Sequence, residues 1–155
     1  RPMYGWDRYE TLVDEGPYLL KHGTDLFVTI SGSSTGLADL YCLGLLHAKE
    51  TDNLLLHESW DWLPYPVLTK ESVKGEYGPG HNCFIKEPES GDDLLVYHAV
   101  PHDINGKAMG RRMGIRRVHW AASGYPYLEM TEERDLAPEF KKVKLRIGIR
   151  DKKEM

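Results

Sequence analysis

Asp14–Gly36 reads DEGPYLLKHGTDLFVTISGSSTG: two carboxylates, a Gly-Pro step, an apolar run, a short turn, an aspartate and a second apolar run. Both runs are rich in the β-branched and aromatic residues that suit a pleated, half-buried surface, and Gly, Asp, Ser or Pro bound them. They read as two strands joined by a turn. The acids at the front pose a question of chemistry, because Asp14-Glu15-Gly16-Pro17 alone is the pattern of a solvated strand end.

The unit recurs. Leu19-Leu20-Lys21 aligns with Phe84-Ile85-Lys86 at an offset of 65, and Asp25-Leu26-Phe27-Val28 with Asp93-Leu94-Leu95-Val96 at an offset of 68. Each copy is strand, turn, aspartate, strand, introduced by EGP in the first and GPG in the second. IRRVHWAASGYPYLEM repeats strand, glycine turn, strand a third time. With DLYCLGLLHA, HNCFIKE and DDLLVYHAV between them, the chain is predicted to be all-β. A strand repeat of this kind suggests propeller blades of about 40–50 residues each. Only two to three fit, whereas a propeller closes with at least four, so the expected fold is a partial β-propeller.

Residues 1–130 carry the blades. Residues 131–155 are a charged C-terminal extension in which KKVKLRIGIR alternates Val143, Leu145, Ile147 and Ile149 with basic residues, the pattern of one further half-buried strand. TDNLLLHESW is either a single helical turn capped by Thr51 or Asp52, or a loop. Asn105-Gly106 reads as a hairpin turn.

The chain has 155 residues, 41% of them hydrophobic, and a net charge of -4. That is enough apolar material for one domain, and too mild and mixed a charge to favour nucleic acid or anionic lipid. No apolar run is long enough for a membrane-spanning helix, so no membrane partner is expected. Cys42 and Cys83 lie in strand-like runs and read equally as buried thiols or one disulfide. Compartment is not fixed, and a secreted or periplasmic setting is slightly favoured over the cytoplasm.

The ordered set DEGPYLLKHGTDLFVTISGSSTG, YCLGLL, EYGPGHNCF, DDLLVYHA and GRRMGIRRVHWAASGYP resembles the C-terminal half of glycoside hydrolase family 43 enzymes. The resemblance runs from about Trp6 to Tyr127. It implies a five-bladed propeller and an inverting glycosidase of the alpha-L-arabinofuranosidase or beta-xylosidase type, acting on arabinose- or xylose-containing saccharides. It gives the role of general acid to Glu15. An inverting hydrolase needs one carboxylic acid to protonate the leaving oxygen and a second carboxylate, about 6.5–9.5 Å away, to activate water. The resemblance implies a missing N-terminal half that completes the propeller, and it places that base and an acid-tuning aspartate there. In a strand Asp14 and Glu15 face opposite ways, so Asp14 is expected to be the outward, solvated neighbour.

The resemblance also matches His81 of GPGHN to a histidine near the propeller axis that contacts a calcium ion or its water shell. Read by itself, His81 is a histidine closing a glycine turn. No organic cofactor is implied. Family members carry an arginine after YHA and another before the tryptophan-ended strand. Val100 and Gly114 stand at those places, with Arg111 and Arg112 near enough to substitute, and Arg112 is the candidate substrate contact. The plainer reading of Arg111, Arg112, Arg116 and Arg117 is a solvated basic strand edge. Trp6 and Tyr77 are candidate walls of the sugar site. The alternative function is a non-catalytic, carbohydrate-binding or degenerate propeller.

Overall fold

The computed structural model describes residues 1–102 and 109–129. The strand expected in 131–155 and the Asn105-Gly106 turn lie outside the described residues. The first sheet has four antiparallel strands in sequence order: β1 (Asp14–His22), β2 (Asp25–Gly32), β3 (Cys42–Lys49) and β4 (Asp61–Trp62). A second takes β5 (Tyr77–Lys86), β6 (Asp93–Val100) and β7 (Arg112–Arg117), again in order and antiparallel. A short hairpin of β8 (His119–Trp120) and β9 (Pro126–Tyr127) follows. Successive up-and-down antiparallel sheets are the pattern of propeller blades, so the chain is all-β and forms part of a β-propeller.

Alternation along each strand builds the core. In β1, Leu20 is buried between exposed Leu19 and Lys21, so one face of the blade is apolar. It joins Phe27, Leu43, Leu45 and Leu68 of the first blade, and Phe84, Leu95 and Tyr97 of the second, in one continuous cluster. Tyr18 meets Phe84 edge-on, ring centroids 6.0 Å apart, which presses β1 of one blade onto β5 of the next. That contact between the first strands of two blades is what positions the site.

Strand register corrects the repeat. Leu20 pairs with Phe27 and His22 with Asp25 in the first blade; Phe84 pairs with Leu95 and Lys86 with Asp93 in the second. With the two aspartates superposed at 68, the preceding strands superpose at 64 rather than 65. Burial agrees, since Leu20 and Phe84 are both buried while Leu19 and Ile85 are both exposed. A slip of one residue reverses every side chain, and the longer second turn, Glu87–Asp92, hides that slip in a sequence alignment.

Other expectations change in detail. TDNLLLHESW forms a single 3-10 turn, His57–Ser59, entered from Leu56 rather than capped by Thr51 or Asp52. Both cysteines are free. IRRVHW is not one strand: β7 ends at Arg117 and β8 begins at His119, so the two halves of the run serve different sheets. Nor is Arg116 a solvated edge residue. Its side chain is only 9% exposed, with Nη2 2.8 Å from Glu76 Oε1 and Nε donating to the Tyr97 hydroxyl, which donates in turn to Glu76. Arg117 is partly buried as well, 3.0 Å from Asp92.

Candidate active site

Glu15 enters the first blade opposite Ser31 of β2. Gly16 follows with φ 58°, a left-handed conformation that favours glycine, and the register shifts there before pairing resumes at Tyr18. This bulge turns the start of β1 toward β5. Gly16 serves a second purpose, because a Cβ on it would stand 3.2 Å from Cγ and Nδ1 of His81. Its bare backbone admits the imidazole.

His81 sits at an irregular stretch of β5 with φ 47°, and its backbone N–H is fixed by a 2.7 Å bond to Ser31 Oγ. Its Nδ1 lies 2.7 Å from Glu15 Oε2. Glu15 Oε1 accepts a hydrogen bond from the Tyr41 hydroxyl. The Glu15 carboxyl, 27% exposed, is therefore held between a buried phenol on the first blade and a 58%-exposed imidazole on the second. Burial, then the Glu15 contact, pushes the Tyr41 phenol far above its ordinary range, so it remains a hydrogen-bond donor. His98 of β6 stacks on Tyr41 with centroids 5.7 Å apart and planes 5° from parallel, and lies 6.4 Å from the His81 ring. Burial, followed by Arg111 and His81, lowers the pKa of His98, which favours a neutral ring.

Asp14 is not the solvated neighbour. Both its carboxylate oxygens are sealed from solvent and have no hydrogen-bond partner among the described residues. Burial first, then the nearby Asp7, raises its pKa to about 6. Asp7 is fully buried in α1 (Gly5–Arg8), where it accepts the N–H groups of Met3 and Tyr4 at 2.9 and 2.7 Å. The two adjacent acids thus occupy different surroundings, Asp14 facing Asp7 and Glu15 facing Tyr41 and His81.

Glu15 and His81 are brought together; the other candidates are not joined to them by any hydrogen bond among the described residues. The Trp6 ring lies across Gly32 and Gly44, where an added Cβ would come within 2.6 and 2.3 Å of it, and its Nε1 is buried without a partner. Tyr77 packs with Ala38 and Val100. Arg112 is exposed and pairs with Ala99, whereas His98 pairs with Met113. Alternation puts Arg112 on the opposite face from His98. Arg111 projects with His98 instead: its charge acts on both His98 and Tyr41, and its guanidinium donates to Thr35 O. Tyr41, Ser31 and His98 escaped sequence reasoning. The YC step before a glycine-containing strand was the available signal for Tyr41.

Among the described residues, no three His, Cys, Asp or Glu side chains gather as a metal site. His81, with Nδ1 on Glu15, has one ring nitrogen left, a poor donor for an oxygen-seeking calcium ion. These residues do not by themselves fit the ion.

Residues 2–126 match the family model for glycosyl hydrolases family 43. An extracellular exo-alpha-(1->5)-L-arabinofuranosidase of Streptomyces avermitilis is 37% identical over 130 residues, covering 81% of this chain and 27% of that protein. Alpha-L-arabinofuranosidase 43 of Humicola insolens is 33% identical, with 81% and 26% covered. The crystal structure of an alpha-L-arabinofuranosidase from Lactobacillus brevis superposes with a TM-score of 0.72 at 31% identity, over 82% of this chain and 40% of that one. The chain therefore spans about a quarter of the length of its curated relatives. Matched over most of its length and sharing their sheets, it belongs to glycosyl hydrolases family 43.

Proposed function

We propose that this chain supplies the acid-bearing blades of an inverting, arabinofuranosidase-like glycosidase, with Glu15 as general acid. The observation that carries the reading is the Glu15 carboxyl, partly open to solvent and gripped by Tyr41 and His81 where two blades meet. Glu15 would pass its proton to the leaving glycosidic oxygen. The charge left on the carboxylate is then met by the Tyr41 hydroxyl and the His81 ring, so the proton leaves a site already furnished with hydrogen-bond partners. A base aspartate on an N-terminal half would deprotonate the attacking water. No step here is routed through calcium.

The names of the relatives support an α-linked L-arabinofuranosyl saccharide as substrate and extracellular action, while a xylosyl substrate rests on the sequence resemblance alone. A binding-only propeller is the competing reading, favoured by Arg112, which lies on the face opposite His98. The test assembles the chain with its N-terminal half and compares wild type with Glu15→Gln on an unactivated arabinofuranosyl oligosaccharide. A fall in kcat of about 10²–10⁴-fold, with folding and sugar binding retained, is expected for loss of a general acid. Equal turnover by the two proteins would sink the assignment. Sugar binding without hydrolysis by the wild type would establish the binding-only propeller.

A further inference from the structure

The hydrogen bond to Glu15 Oε1 comes from a group held where the two blades meet. Tyr41, 2% exposed, donates its hydroxyl proton to Oε1. Ser31, fully buried and paired with Glu15 across the ladder, accepts the His81 backbone N–H at 2.7 Å, and because that N–H can only donate, it pins His81 beside the carboxyl.

A carboxylic acid carries its proton on one oxygen, and an oxygen already accepting from a phenol is the wrong one, whereas Oε2 faces the Nδ1 of an imidazole, which accepts a proton's hydrogen bond in the Nε2–H tautomer and donates to the bare carboxylate once Nδ1 is protonated. We infer that Tyr41 is a positioning residue that reserves Glu15 Oε1 as an acceptor, so that the acid's proton resides on Oε2, beside His81, and the glycosidic oxygen is protonated from the His81 side. This rests on Glu15 being the general acid. The two oxygens differ in the access of their partners as well: Tyr41 is buried, whereas the His81 side chain is 58% exposed. Packing fixes the phenol in its role. Its ring fills the space a Cβ on Gly80 would occupy and stacks on His98, so it cannot swing toward Oε2.

The experiment compares wild type, Tyr41→Phe and Glu15→Gln in the complete propeller on two substrates. One is an unactivated arabinofuranosyl oligosaccharide; the other is 2,4-dinitrophenyl arabinofuranoside, whose leaving group needs no proton. Tyr41→Phe keeps the ring and removes only the hydroxyl. It is expected to lower kcat about 10- to 100-fold on the oligosaccharide with KM little changed, and less than 3-fold on the dinitrophenyl substrate, since misplacing a reacting group costs rate where that group is used. Equal loss on both substrates overturns the positioning role while leaving Glu15 as the acid. Full activity of Glu15→Gln on the oligosaccharide removes the acid reading and this inference with it. A neutron structure of the wild type at acidic pH gives a readout independent of turnover: deuterium on Oε2 supports the inference, and deuterium on Oε1 overturns it.

Discussion

The ring of Tyr41 occupies the place of a side chain that Gly80 lacks: a Cβ at position 80 would stand 2.1 Å from Tyr41 Cε1. Gly80 belongs to β5 and Tyr41 to the loop before β3, so a strand of the second blade makes room for a phenol of the first.

Gly80→Ala tests that accommodation. The methyl group must displace the Tyr41 ring, and overpacking of this kind costs about 1–3 kcal/mol. A lower melting temperature is expected, together with loss of turnover confined to substrates that need acid assistance. Wild-type stability and turnover would show that the ring can move aside freely.

Asp14→Asn tests the buried carboxyl. Its folded pKa of about 6 is above the ordinary 3.8, so folding favours the protonated form. Stability from this group is fully present below about pH 4 and is lost as pH rises through 6. The neutral amide escapes that loss. The variant should unfold like wild type near pH 4 and be more stable at pH 8, by on the order of 1 kcal/mol after allowance for solvent screening. A difference that does not change with pH would contradict the assignment.

Glu76→Ala leaves the Arg116 guanidinium, 9% exposed, with the Tyr97 oxygen as its one remaining hydrogen-bond partner among the described residues. Removing one member of a largely buried pair costs about 3 kcal/mol, because the remaining charge is stranded. Denaturant unfolding measures it. A change below about 0.5 kcal/mol would mean that solvent reaches Arg116 and replaces the lost carboxylate.

Chelation separates two roles for His81. If the ring acts through its 2.7 Å contact with Glu15, turnover of the complete propeller should be unaffected by a chelator and lowered by His81→Asn, a residue that tolerates the left-handed backbone at this position. Activity lost on chelation and restored by calcium would assign the ring to a metal shell instead.

The strands were legible because their determinants are local. Leu20, Phe27, Phe84 and Leu95 sit in runs whose composition and punctuation identify a strand without any partner. The motifs EGP and GPGH marked the two first strands, and the structure brings the acid of one against the imidazole of the other. What stayed hidden depends on contacts distant in sequence. Tyr41 is 26 residues from Glu15, and although YCLGLL marks the strand it leads into, its contact with the carboxyl exists only once β1, β3 and β5 are packed. Asp14 looked solvated because a polar residue at a strand end usually is, whereas its oxygens are sealed from solvent and the Asp7 charge is near enough to raise its pKa. Arg111 and Arg112 are adjacent, and register alone decides which one shares a face with His98.

The Glu15 carboxyl takes one partner from its own blade and the other from the next. Its environment is therefore a product of assembly, since a chain whose second blade has not docked onto the first leaves Glu15 without its imidazole and Ser31 without the amide it accepts. Sliding the two sheets apart would separate these partners while every strand ladder stayed intact.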